Sequence, residues 1–151
     1  MNLITPLLRQ ENIQVGVDIS SKKRLFEHAA RLFQNSHQVN EQEVFESLFS
    51  REKLGSTALG YGIAIPHGRI KHLKETACAF IRLNTPIAFD APDNQPVDLI
   101  FILLAPATAT DVHLQILGEL AAMFSSEALR ALLRTTPDVA TLHQLITEWT
   151  P

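Results

Sequence analysis

The stretch VDLIFILLA, residues 97–105, narrows the possible folds of this chain more than any other. From Leu99 to Ala105 it contains no polar residue, and Pro106 ends it. Side chains in a strand point alternately to opposite faces, so a strand with one wet face alternates apolar with polar residues. A strand that is apolar on both faces has to be covered on both. The run therefore belongs near the centre of a sheet with cover above and below. It falls far short of the roughly 18 apolar residues that a membrane-spanning helix needs.

The flanking sequence supplies that cover. Ser20 or Ser21 can cap a helix running to about Asn35, with Leu25, Phe26, Ala29, Leu32 and Phe33 at helical spacing. Asn40 followed by Glu43 resembles a capping box, opening a helix with Val44, Phe45, Leu48 and Phe49 inward and Gly55 near its end. TALGYGIAIP (57–66) and TACAFIRL (76–83) read as further strands. The proline-rich piece between Asn84 and Asp98 reads as a hairpin-like excursion or loop, with a possible short strand at Ile87–Phe89. After Pro106, Thr110 or Asp111 can cap a helix with His113, Leu114, Leu117, Leu120 and Ala121 on one side. A helix follows from Ser125 or Ser126 through Leu129, Leu132 and Leu133. The last begins at Thr136-Pro137, with Val139, Leu142, Leu145, Ile146 and Trp149 inward. The expected fold is an α/β sandwich: one domain over residues 1–151, with a mixed central β-sheet flanked by helices on both faces.

Composition removes several functional classes. With 46% hydrophobic and 19% charged residues, the chain has the balance of an ordinary globular domain. A net charge of −3 argues against a nucleic-acid partner. No basic region followed by a sustained apolar stretch opens the chain, so neither a signal peptide nor membrane insertion is expected. The lone Cys78, in the apolar piece ACAFI, reads as a small core thiol. The expected location is the cytoplasm.

The chemistry-bearing candidates are few. Of six histidines, His28, His37, His72 and His143 have only their residue type to recommend them and are read as structural or solvated. His67 stands apart in GIAIPHGR (62–69), where Pro66 has a fixed φ and keeps Ile65 extended. Gly68 admits an unusual backbone angle or the close approach of another group. The local pattern alone leaves two readings open: an ordinary strand-to-loop turn, or an imidazole held rigidly for use. His113 falls in the first turn of a helix, where unpaired N–H groups and the dipole favour an anion, although a partly buried helix residue explains it too. Arg51 precedes the hydroxyl-rich turn GST (55–57) and is equally explained as a solvated cation at a helix C-terminus. Taken together, a histidine, an arginine, a helix N-terminus and a Ser-Thr pair can hold a phosphoryl group.

Four motifs in order, SREKLGST (50–57), GIAIPHGR (62–69), PIAFDAPDNQPVDLIFILL (86–104) and HLQILGELA (113–121), carry a resemblance that covers nearly the whole chain. The chain is similar to the enzyme IIA domains of the bacterial phosphoenolpyruvate-dependent phosphotransferase system, of the fructose/mannitol and nitrogen-regulatory type. Its third motif resembles the nitrogen-regulatory branch. The resemblance implies that His67 accepts a phosphoryl group on Nε2, that His113 assists beside it, and that Arg51 pairs with the incoming group. It also implies that Ser56 lies at the same pocket. A histidine phosphocarrier protein is the implied donor, with regulated targets such as potassium-transport or sensor-kinase components. No cofactor and no metal are implied. Ala58 and Tyr61 depart from the family pattern, which more usually has Gly and Asn there.

Three other readings have distinguishable consequences. A sugar-specific enzyme IIA would use the same chemistry and pass the phosphoryl group to a IIB transporter component. A metal-dependent hydrolase built on His67, His113 and Asp111 lacks any His-x-x-x-His or comparable ligand spacing. In a pure binding module His67 would be only structural.

Overall fold

The computed structural model describes residues 2–108 and 111–151. Its centre is the predicted one. The apolar run is a strand over Val97–Pro106, here β6, and six strands form one mixed sheet around it. In chain order they are β1 (Ile13–Val17), β2 (Ala58–Gly60), β3 (Ile63–Ala64), β4 (His67–Ile70), β5 (Ala77–Ile87) and β6. The spatial order is β1-β5-β6-β3-β2, with β4 also on β6. β1 runs parallel to β5, β5 antiparallel to β6, and β3 and β4 parallel to β6.

The two faces of β5 and β6 go to different cores. Ala79, Ile81, Ile100, Ile102 and Leu104 meet α1 (Lys22–His37) and α2 (Glu41–Lys53). Cys78, Phe80, Leu99, Phe101 and Leu103 meet α3 (Asp111–Phe124), α4 (Glu127–Thr135) and α5 (Val139–Thr147). Full burial of each large apolar side chain contributes about 1.5–3 kcal/mol. This double cover is why an unbroken apolar strand is stable here.

Local signals place most helix starts. Ser21 accepts from the Arg24 N–H, Asn40 from Glu43 and Ser126 from Leu129, whereas the last helix starts not at Thr136-Pro137 but at Asp138, which accepts from Thr141. Thr110, one of the two caps expected for α3, lies outside the described residues. The capping box forms only by half. Glu43 does not turn back to Asn40, because its carboxylate accepts the backbone N–H of Lys71 at 3.0 Å.

Other expectations change. The strand expected over residues 57–66 is two strands joined by a tight turn at Tyr61 and Gly62, whose φ values are 57° and 78°. A Cβ on Gly62 would stand 2.9 Å from Asp98 Oδ1, so this position requires glycine. Tyr61 lies in the left-handed region that Asn tolerates better than an aromatic residue. Asp93 accepts its N–H at 2.9 Å and the Arg130 guanidinium covers its ring at 4.3 Å. β1 has no counterpart in the sequence reading, since it is short and interrupted by Gly16 at φ 66°. Ile87–Phe89 is no separate strand: β5 continues to Ile87 through an irregular register, and Phe89 packs edge-on against Phe26. On α3, Leu114 and Ala121 face solvent, and the buried stripe is His113, Ile116, Leu120, Met123 and Phe124. Leu132 on α4 is likewise exposed.

The contact between α2 and β4 sets up the rest. A Cβ on Gly68 would overlap the Ser47 side chain and stand 3.2 Å from the Ser47 carbonyl carbon, so the helix lies directly on the strand. The φ of Gly68 is not positive; the residue is needed for close approach alone. Gly68→Ala is expected to cost about 1–3 kcal/mol in chemical denaturation, by overpacking. Adding Ser47→Ala should recover part of the loss, because the hydroxyl is the nearest obstacle.

Candidate functional site

Three elements converge on His67. β3 and β4 pair with β6 at one offset of 36 residues, so they are a single strand line interrupted at Ile65-Pro66. Pro66 has no N–H for the ladder, but its carbonyl accepts from Leu103 at 3.0 Å, which keeps the line in register. His67 therefore begins β4, where a strand ending in a loop was expected. Its side chain turns back so that Nδ1 lies 2.8 Å from the Ile65 carbonyl. A carbonyl can only accept, so Nδ1 carries the proton. In the neutral ring the free lone pair is then on Nε2.

Arg51 reaches the same place by helical geometry. On α2, Glu43 holds the Lys71 N–H and Ser47 donates to the Arg69 carbonyl at 3.0 Å. Four helix residues rise about 6 Å, and two strand residues about 6.6 Å. Two such steps carry the contact from Lys71 past Arg69 to His67, and from Glu43 past Ser47 to Arg51. Both Arg51 and His67 line one cleft of about 470 Å³, with Ser50 and Leu54 on its α2 side. Arg51 rests on the Gly55 carbonyl at 2.9 Å.

The third wall is α3. His113, 5% exposed, stacks at a tilt against His67 with ring centroids 5.6 Å apart. Its Nδ1 is buried without a hydrogen-bond partner among the described residues. Leu114 and Leu117 follow on the cleft's edge. Leu114 is 65% exposed, and Leu54 opposite is 85% exposed.

Charge favours neutral rings. Burial, chiefly, with the Arg51 charge holds the His67 pKa below its ordinary value, against the opposing pulls of the Ile65 carbonyl and Glu52. Burial, then the His67 ring, then Arg69 hold His113 low as well. At neutral pH the site thus presents an unprotonated nitrogen under a guanidinium, an arrangement suited to nucleophilic attack on a phosphoryl group.

The structure brings His67, His113 and Arg51 together and leaves Ser56 outside. The Ser56 hydroxyl donates to the Phe89 carbonyl at 2.6 Å and accepts the Ala58 N–H at 3.1 Å. Its neighbour explains the direction of the turn. Buried Glu52 accepts from the Thr57 N–H at 3.1 Å, from the Thr57 hydroxyl at 2.6 Å and from Lys22 at 3.1 Å, drawing residues 56–57 away from the cleft. Glu52 is missing from the sequence reading because Lys22, its cation, is thirty positions away. Ser47 is missing too, as it carries no local signal, and Arg69, quoted in GIAIPHGR, is left there without a role and read as surface.

The remaining histidines are structural or solvated. His28 pairs with Gln14, His37 with Ser36, His143 with the Leu8 carbonyl, and His72 is exposed. Among the described residues no group of three His, Cys, Asp or Glu side chains could hold a metal ion. No helix in the described residues is long and apolar enough to cross a membrane.

A mixed sheet with helices on both faces is the fold of phosphotransferase-system IIA proteins of known structure. The nitrogen regulatory protein IIA-Ntr of Neisseria meningitidis superposes with a TM-score of 0.93 at 46% identity, covering 97% of this chain and all of that one. The sequence profile described as phosphoenolpyruvate-dependent sugar phosphotransferase system, EIIA 2, matches residues 6–149, and the chain belongs to that family. A nitrogen regulatory protein of Pseudomonas aeruginosa is 42% identical over 89% of this chain and 88% of its own. The fructose-specific EIIA component of Haloferax volcanii is 30% identical over 98% and 95%. The resemblance to the nitrogen-regulatory branch is borne out by these identities.

Both imidazoles bind a proton less readily in the folded chain, so the unfolded chain takes up more protons as pH falls through about 6.5. Stability should therefore decline from pH 7 toward pH 5. NMR titration is expected to place the His67 and His113 midpoints below 6.5, and midpoints above it would contradict the burial argument.

Proposed function

We propose that the chain is a nitrogen-regulatory phosphorelay component of the cytoplasm, one IIA domain over its whole length. His67 receives a phosphoryl group from a histidine phosphocarrier protein, and the modified and free forms act differently on target proteins. The observation that carries this reading is the Nδ1–H bond to the Ile65 carbonyl, which directs the Nε2 lone pair into the cleft. In the transfer, Nε2 forms the new N–P bond as the donor's N–P bond breaks, and that electron pair returns to the donor nitrogen. The His67 Nδ1 proton stays in place, so no base is required. Donor and product are both phosphoramidates, so positioning and charge carry the rate.

Arg51 meets the phosphoryl oxygens with charge-assisted hydrogen bonds after leaving the Gly55 carbonyl. His113, in the first turn of α3, flanks the transferring group with its ring, 5.6 Å from that of His67. Ser56 acts behind the site, holding the turn after α2 against Phe89. The exposed Leu54 and Leu114 on opposite sides of the cleft suit a donor protein with an apolar contact face around its own histidine. Potassium-transport or sensor-kinase components are the target classes this reading carries over from the family.

The test is labelling with phosphoenolpyruvate, enzyme I and the carrier. Wild type should take one phosphoryl group, and His67→Ala none; equal labelling of both removes the proposal. Arg51→Ala and His113→Gln are each expected to slow transfer by about 10²-fold while the fold is kept. A sugar-specific role, favoured by the fructose-specific relative, predicts fast onward transfer to a sugar IIB component.

A further inference from the structure

Arg69 has no part in the transfer as described above, yet it borders the same cleft. It stands two residues beyond His67 on β4, so strand alternation sends both side chains to one face. The backbone beneath it is firmly held: Ser47 donates to its carbonyl at 3.0 Å and Gly68 is packed against α2. The side chain is exposed, and its contact among the described residues is one long bond from Nη1 to the Ala107 carbonyl at 3.4 Å. Neither Arg51 nor Arg69 forms an ion pair among the described residues. The nearby carboxylates do not change this. Glu52 is taken up by Thr57 and Lys22, and Asp111 in the first turn of α3 offsets that helix's positive end.

Two uncommitted guanidiniums beside two neutral imidazoles give the empty cleft a charge of about +2 at neutral pH. A phosphoryl group on nitrogen brings about −1.5 to −2. The positive charge that the retained Nδ1 proton leaves on the ring lies behind the phosphorus. Arg51 alone can face only one side of the three phosphoryl oxygens. The charge of Arg69 already reaches the cleft, since it helps to hold His113 unprotonated.

We propose that Arg69 is the second cation of the phosphorylated site, leaving the Ala107 carbonyl to bind the phosphoryl oxygens opposite Arg51. This rests on His67 being the acceptor. The same swing withdraws a positive charge from the surface at Ala107. The free and phosphorylated forms then differ outside the cleft as well as within it, which gives a target protein a charge difference to read.

The experiment compares wild type, Arg69→Gln and Arg69→Lys, each full chain phosphorylated through the carrier. Two quantities are measured: the equilibrium of phosphoryl exchange with the carrier, and the ³¹P NMR titration of the phosphohistidine. A nearby cation favours the dianion, so Arg69→Gln should raise the phosphoryl pKa. It should also shift the exchange about threefold to tenfold toward the carrier, an effect that shrinks in high salt. Arg69→Lys should stay near wild type. A merely structural role would not move the phosphoryl titration. Should the Gln variant fail to fold, Arg69→Met, which keeps an apolar stem and removes the charge, decides the matter by the same readouts. Titrations and exchange constants that coincide for wild type and Arg69→Gln overturn the inference and leave His67 as acceptor. Absence of any label on wild type overturns both.

Discussion

The close seating of α2 on β4 is the constraint on which the rest of this structure depends. One missing Cβ at Gly68 lets the Ser47 side chain rest on the strand. Glu43 and Ser47 then fasten to the backbone of Lys71 and Arg69. The match between one helical turn and two strand residues makes the third step inevitable, and it brings Arg51 to His67. A guanidinium on a long, flexible side chain is thus delivered by backbone geometry, with little left to side-chain choice. Buried Glu52 secures the end of the same helix by holding Thr57 and Lys22. Removing one partner of such a buried group leaves the other unpaired, which makes the anchor strong.

The two cores divide the work between the histidines. β4 belongs to the sheet and is locked to β6 from His67 to Ile70, so His67 moves with the most buried part of the molecule. His113 comes from a helix packed on the opposite face, through Ile116, Leu120 and Met123. The site therefore lies where the two helical layers meet at one edge of the sheet. That placement leaves the Nε2 side open to a protein partner. It also keeps both rings desolvated enough to remain neutral. A neutral ring nitrogen beside two guanidiniums is the arrangement on which the proposed phosphoryl exchange draws.

Much of the fold is legible in the chain because its signals are local. The run from Leu99 to Ala105 announces a central strand, and Ser21, Asn40 and Ser126 mark helix starts that cap as expected. The misreadings have physical causes. β1 is a short strand with a glycine inside it, so alternation is too brief to register. Leu114 and Leu132 continue helical apolar spacing yet remain outside, because the periodicity gives a stripe but not its edges. The capping box fails because Glu43 finds a better donor in Lys71, across the layer boundary.

The sequence by itself determined the architecture and singled out one histidine as a candidate. A doubly covered sheet follows from an apolar strand, and GIAIPHGR marks one histidine by the proline and glycine beside it. Tertiary structure alone decided which atoms of that site face one another. It chose Nε2 over Nδ1 through the Ile65 carbonyl and turned Ser56 away toward Phe89. It also drew Arg69 from the surface into the cleft's border. The reason is one of range. Backbone preferences and hydrophobic periodicity act over a few residues and are written along the chain, whereas the partner of a hydroxyl, a ring nitrogen or a guanidinium depends on contacts between segments far apart in sequence.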